Sequence, residues 1–122
     1  MEEVKFDFED LKVYQKALDF VDSVYKVNKK FPKEELYSLT SQFIRASNSI
    51  AQNIAEGYDE TRPLFLRYAK IAKGSLRECV VCTTIAYRQK YNSEQENNEM
   101  RYNLAEMSKM LSGLVKFVKS KT

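Results

Sequence analysis

The sequence has no histidine and no tryptophan, and only three glycines, two prolines and two cysteines. Without histidine the chain lacks the commonest general base near neutral pH and the commonest metal ligand. Triads of the Ser-His-Asp type are excluded, and so are the Glu-x-x-His di-iron sites that some helical bundles carry. No glycine-rich phosphate loop is present, so nucleotide hydrolysis has no visible apparatus. No apolar stretch approaches the ~18 residues needed to span a bilayer. The start, Met1-Glu2-Glu3-Val4-Lys5-Phe6-Asp7, is acidic and mixed rather than basic and then apolar, so it does not read as a signal peptide. These absences lead us to expect a cytoplasmic, non-membrane, non-enzymatic protein with no catalytic residues, cofactor or metal.

The few cysteines support the same compartment. Cys79 and Cys82 stand three residues apart, poor geometry on one helix for a stabilising disulfide, and fit a reducing environment. Their Cys-x-x-Cys spacing resembles half of a zinc site, whose remaining ligands would have to be carboxylates or come from a second subunit. The apolar setting favours small core residues instead. Glu34 and Glu35 are adjacent carboxylates beside Pro32, in a first helical turn where acids are expected on dipole grounds alone.

The 122 residues are 43% hydrophobic, enough for one core, and include eight Tyr and seven Phe. So little Gly and Pro leaves few turns and argues for long helices. Phe31-Pro32, the stretch from Gly57 to Thr61, and Tyr91-Asn92-Ser93 are the breaks. Ser93 with Glu96 forms a capping-box pattern, and Thr61 caps a turn that tolerates Pro63. The predicted helices are about 11–29, 33–56, 62–90 and 94–119. Their short connections imply antiparallel neighbours. The expected fold is all-α, a single domain over 1–122 folded as an antiparallel up-down-up-down four-helix bundle.

The first helix places Tyr14, Ala17, Leu18, Val21, Val24 and Tyr25 at three- and four-residue steps. The second carries two stripes side by side. At about 100° per residue, Leu39, Phe43, Ala46, Ile50 and Ile54 share an apolar face, with Gln42, Arg45, Ser49, Asn53 and Glu56 on a narrow polar face beside it. That ladder is suited to fixed hydrogen bonds and ends in a Glu that the helix dipole disfavours unless a cation offsets it. The bland reading is structural: Arg45 or another cation offsets Glu56, and Asn53 bonds a neighbouring helix. A ligand or catalytic site is the alternative. Gly57 stops the helix. Mid-helix Gly74, at a cost of roughly 1 kcal/mol, predicts a close helix approach matched by small residues such as Ala46 and Ser49.

Charge is uneven although the net is only +3. Residues 62–90 hold 7 basic side chains against 1 acidic, whereas residues 1–61 hold 8 against 12. Arg67, Lys70, Lys73, Arg77 and Arg88 fall within about 120° of arc on the third helix. From Arg67 to Arg88 this stripe rises roughly 30 Å, long enough to follow several phosphates of RNA or DNA. The competing reading is a row that serves solubility or pairs with an acidic neighbour. Lys109, Lys116, Lys119 and Lys121 form a further basic group that either extends the surface or complements the helix dipole.

Taken together, the chain resembles the small bacterial four-helix-bundle family encoded in intervening sequences of large-subunit ribosomal RNA genes, sometimes labelled a ribosomal protein. The resemblance rests on Phe8-Glu9-Asp10-Leu11 with Val13, Tyr14 and Ala17, and on Phe31-Pro32 with Glu35, Tyr37 and Leu39. It continues through Gln42, Arg45-Ala46, Ser49-Ile50, Asn53-Ile54-Ala55-Glu56-Gly57, and Ile71-Ala72 with Gly74-Ser75 and Glu78. It implies self-association as a homo-oligomer, a pentameric ring, and kinship with the accessory variability protein of diversity-generating retroelements, which binds a reverse transcriptase and nucleic acid. It implies no known activity and no place in the ribosome. Ile44 stands where the family often has a second basic residue, and Ala51 where it has Pro, which predicts a weaker basic surface and less kink on the second helix. The expected function is weakly sequence-specific nucleic-acid binding through the third helix. The alternative is a protein-interaction adaptor or structural oligomer with a protein partner and no nucleic-acid affinity.

Overall fold

The computed structural model describes residues 2–121. Four helices, α1 (Lys12–Asn28), α2 (Leu39–Gly57), α3 (Arg62–Arg88) and α4 (Glu94–Ser120), account for the core, and no strand occurs among the described residues. Each helix packs on the next in sequence, and α4 closes the bundle against α1, with the α2–α3 pairing the most extensive. The interior is built from one stripe per helix. Val13, Ala17, Phe20, Val24 and Val27 come from α1, and Leu39, Phe43, Ala46, Ile50 and Ile54 from α2. Ala72, Leu76, Cys79, Cys82 and Ala86 come from α3, and Met100, Leu104, Met107 and Leu111 from α4. Phe20 and Phe43 meet at the centre with ring centroids 6.4 Å apart.

The apolar stripe read on α2 is buried in full. On α1 the expected face is rotated: Leu18 and Tyr25 are exposed, whereas Val13, Phe20 and Val27 turn inward. Two overlapping apolar stripes satisfy helical spacing there, and burying the large Phe20 ring decides between them.

Helix ends follow local chemistry. At α4 the capping box forms as expected: Glu96 N–H donates to Ser93 Oγ at 3.0 Å and Ser93 N–H donates to Glu96 Oε1 at 2.9 Å. The start of α2 lies later than the sequence suggests. Lys33–Glu35 forms only a short 3-10 turn, Leu36 and Tyr37 stay exposed, and α2 begins at Leu39 after Ser38 leaves helical geometry (φ −127°, ψ −104°). No side chain between 33 and 38 reaches the core, so nothing holds that stretch on the helix axis. At the end of α3, Lys90 takes a left-handed conformation (φ 67°), and Tyr91 and Lys90 donate back to the carbonyls of Ala86 and Tyr87. This is a Schellman closure made without glycine.

Gly57 stops the second helix as expected, though without a left-handed conformation of its own, and the Gly74 expectation needs correction. Gly57 ends α2 as its last helical residue, with the left-handed turn taken by Asp59 (φ 57°). Its lack of a side chain serves packing: a Cβ there would lie 3.1 Å from Tyr68 Cβ. Gly74 makes no close helix approach, since a Cβ there would meet only an Arg77 guanidinium nitrogen at 3.9 Å. Its wheel position lies within the basic stripe, nearly opposite the buried face of α3, and the close contact falls at Gly57, beside the α2–α3 turn.

Candidate nucleic-acid interface

The α3 stripe lies on the surface as expected. Arg67, Lys70, Arg77 and Arg88 are exposed and Lys73 is half-buried. None of the five makes an ion pair among the described residues. The three ion pairs found there lie elsewhere: Lys5–Asp10 near the N-terminus, and Lys16–Glu106 and Lys30–Glu96 between α1 and α4.

Two cross-helix contacts set the register of α3 against α4. Arg62 donates to the carbonyls of Lys119 and Lys121 at 2.9 and 3.2 Å, and Arg101 donates to Thr84 Oγ1 at 2.9 Å. Residues on the two helices therefore face each other in antiparallel order. In that register Lys116 lies beside Lys70 and Lys109 beside Arg77. On the α4 wheel Arg101, Lys109, Lys116 and Lys119 fall within about 80° of arc on the flank nearest α3, and all four are exposed. The basic surface therefore spans two helices. Glu94 is the acid that falls on this flank of α4, at its far end. Arg101 was not singled out from the sequence. Its signal was its place on the wheel, five turns before Lys119, which means nothing until α3 is known to lie alongside.

The polar ladder of α2 behaves differently from expectation. Ser49 and Asn53 are half-buried, whereas Gln42, Arg45 and Glu56 are exposed. The link between helices passes through Ser49: Ser75 Oγ on α3 donates to Ser49 Oγ at 2.7 Å. Asn53 stays on its own helix and donates to the Ser49 carbonyl at 2.8 Å and to its hydroxyl at 3.0 Å. Arg45 does not offset Glu56, and Glu56 has no ion pair among the described residues. The reason is distance, since eleven residues on one helix are roughly 16 Å of rise, beyond side-chain reach. Arg45 instead lies near Cys82 and Glu78, close enough to act electrostatically on the Cys82 thiol.

That thiol is pushed up to about 11, first by burial and then by Glu78, with Arg45 opposing. Burial drives the Cys79 thiol upward as well, followed by Cys82 and Glu78. Both cysteines sit in the core as small apolar residues, and neither is a ready thiolate. Among the described residues no three His, Cys, Asp or Glu side chains are grouped to hold a metal ion. No helix is long and apolar enough to cross a membrane.

Beside the ladder, α3 exposes Ile71, Val81 and Ile85. With Gly74 open between them, the α2–α3 face is a mixed apolar and polar surface. Val81, Gly74 and Ile85 fall within the arc of the basic stripe on the α3 wheel, and Ile71 lies just beyond it toward α2.

Comparison with known proteins agrees with this architecture. Residues 9–113 match the family model described as 23S rRNA-intervening sequence protein. No curated protein gives a significant match. A solved structure of a protein of unknown function from the S23 ribosomal protein family of Bacteroides thetaiotaomicron VPI-5482 superposes with a TM-score of 0.78 at 23% identity, covering 85% of this chain and 95% of that one. At that identity the likeness concerns the fold.

Proposed function

The chain belongs to the 23S rRNA-intervening sequence protein family, and from that premise we propose that it is a non-enzymatic, self-associating bundle that binds nucleic acid through the basic face of α3 and α4. The observation that carries the proposal is a row of cations, drawn from two helices in register, that no carboxylate of the described chain neutralises. Lysine and arginine on helix flanks contact phosphates and read no base edges, so binding is weakly sequence-specific.

Self-association uses the outer edge of α3 toward α2, which borders and partly shares the basic stripe. Arg45 and Glu56 lack ion-pair partners among the described residues, Ile71, Val81 and Ile85 are exposed, and Gly74 leaves room for close approach. A second copy on this face brings Arg45 against a neighbour's carboxylate and covers the apolar row. A ring, five-membered as the family resemblance suggests, repeats the basic face around its circumference and gains affinity by avidity. The resemblance to the accessory variability protein of diversity-generating retroelements points to the same kind of partner. A cytoplasmic site of action fits the reduced, buried cysteines.

The test is fluorescence anisotropy of labelled single-stranded RNA and duplex DNA at two salt concentrations. We expect affinity to fall at least about tenfold between low and moderate salt. Salt-independent binding, or none at low salt, would sink the reading. The adaptor reading is favoured instead by Leu36 and Tyr37, 52% and 92% exposed beside Ile44 and Arg45. Under it, partner capture survives charge reversal at Arg67, Lys70 and Arg77.

A further inference from the structure

The basic stripe of α3 is interrupted by apolar side chains. Val81 and Ile85 sit within it, 55% and 40% exposed, and Ile71, 42% exposed, lies at its edge toward α2. Arg67, Lys70, Arg77 and Arg88 stand around this row against one acid, Glu78, so the local charge stays positive. Phosphates neutralise cations but cover no apolar group. The row fits a surface that brings carboxylates and apolar side chains together.

The segment before α1 is such a surface. Residues 2–10 hold five acids, Glu2, Glu3, Asp7, Glu9 and Asp10, against one base, Lys5. Asp10 pairs with Lys5 at 2.9 Å, and Glu9 accepts from the Phe6 N–H at 2.8 Å. Glu2, Glu3 and Asp7 make no ion pair among the described residues. The segment is fixed to its own chain through Phe8, which meets the Tyr14 ring edge-on at 5.1 Å and lies over Ala51 and Ala55 of α2. Val4 and Phe6 stay outside, 78% and 61% exposed. Phe6 has extended geometry (φ −101°, ψ 148°), and in an extended segment Val4 and Phe6 share one face, roughly 7 Å apart. Val81 and Ile85, about one turn apart on α3, are separated by roughly 6 Å of rise. The two apolar pairs match in spacing, and the charges around them are opposite in sign.

The segment cannot reach the row of its own chain. The Ser49–Ser75 hydrogen bond sets the register of α2 against α3 and places Ala55 near the level of Ala69. Val81 therefore lies roughly 18 Å further along α3, with the width of α2 also to cross. Phe6 is only two residues from the Phe8 anchor, a reach of roughly 7 Å. A second copy must supply the segment.

We infer that residues 2–7 of one copy dock on the α3 row of the next, with Val4 and Phe6 covering Val81 and Ile85 and the free carboxylates facing Arg77 and Arg88. This deepens the self-association reading above and rests on it. Donor segment and acceptor row are different surfaces, so the contact is head-to-tail and makes a ring where the rotation closes. Lys73 and the α4 cations, on the opposite border of the stripe, remain open to phosphate.

The experiment is sedimentation velocity on three full-length proteins: the wild type, a donor variant (Glu2→Lys, Glu3→Lys and Phe6→Ser together) and an acceptor variant (Val81→Glu with Ile85→Glu). All five positions are exposed, so both variants should melt as the wild type does. The wild type is expected to assemble, and each variant alone to associate at least tenfold more weakly. An equimolar mixture of the two variants is expected to form a one-to-one dimer that grows no further, because each copy keeps one good surface. Variants that assemble like the wild type, or a mixture that stays monomeric, overturn the docking and leave the self-association reading standing. A wild type that stays monomeric overturns both.

Discussion

The two flanks of α4 treat charge in opposite ways. Toward α1, Glu106 and Glu96 each meet a lysine, Lys16 at 3.0 Å and Lys30 in a second close pair. Toward α3, Arg101, Lys109, Lys116 and Lys119 lie alongside a helix that contributes five more cations, and hydrogen bonds from Arg101 and Arg62, rather than ion pairs, tie the surfaces together. A bundle that used its lysines and arginines only for helix pairing would show the first pattern on both flanks. Repulsion between exposed like charges is weak, about 1 kcal/mol at 4 Å in water and less at the spacing of helical turns, so the fold tolerates the second pattern without needing it. The difference separates charge that sets helix register from charge that the described chain leaves unpaired.

The most damaging test of this contrast reverses Arg67, Lys70 and Arg77 to Glu. If the α3–α4 flank holds phosphates, affinity for RNA or DNA should drop by about a hundredfold. The slope of log affinity against log salt should flatten by about 0.9 for each phosphate of duplex DNA that the protein no longer neutralises. The melting temperature should scarcely move, because surface substitutions of this kind change stability by about 0.5 kcal/mol or less. Lys16→Glu on the other flank is the control, and a comparable loss of affinity there would erase the distinction.

Glu96 tests the paired flank. Its carboxyl is held below the usual range chiefly by the hydrogen bond from Lys30 and next by the backbone N–H of Ser93. A depressed folded value means that this contribution is present above the unfolded-state pKa and lost as pH falls through the folded one. Glu96→Ala should therefore cost about 1 kcal/mol at neutral pH, shared between the Lys30 pair and the cap, and less in acid, where the pair is lost. Glu96→Gln keeps an acceptor for the cap and removes only the ion pair, so it should cost less than Glu96→Ala at neutral pH. Thermal melts at pH 7 and pH 3 separate the two, and an equal loss at both pH values would count against the linkage.

The outer face of α3, where Gly74 falls between Lys70 and Arg67 on the wheel, is probed by Gly74→Ala. In the single chain the new methyl enters open space, 3.9 Å from the Arg77 guanidinium, and should raise stability by about 1 kcal/mol. In the assembly the same methyl should weaken self-association if a second copy packs there. Calorimetry and sedimentation on one sample compare the two effects. A gain in stability with unchanged assembly would leave the α2–α3 face without that role.

How much of this was readable in advance depended on whether one helix sufficed to decide. The α2 core stripe is a single unbroken series, so Leu39, Phe43, Ala46, Ile50 and Ile54 could be assigned without knowing any neighbour. The Ser93–Glu96 box is equally local. On α1 two stripes compete, and the choice awaits the partner that receives Phe20. The basic stripe of α3 was visible from spacing, but its extension onto α4 is a matter of register between helices. Gly74 carried a real signal, a helix-interior glycine that wants compensation, without saying whether the same chain or another supplies it. The Arg45–Glu56 expectation failed because sharing a face does not bring residues three turns apart into contact.

The smallest expected effect addresses the paired flank again. A double-mutant cycle on Lys16→Met and Glu106→Gln should give a coupling below about 1 kcal/mol, because both side chains remain over a third exposed and solvent screens their attraction. High salt should reduce it further. A coupling of that size cannot explain why α1 and α4 stay together, since the buried stripes with Phe20 and Leu104 supply far more. What the pair does is penalise a shifted register, in which Lys16 faces another residue and Glu106 faces a neighbour of Lys16. If the cycle instead returns several kcal/mol that resist salt, the paired flank would be a main source of stability, and the unpaired flank would then need a stabilising partner of its own.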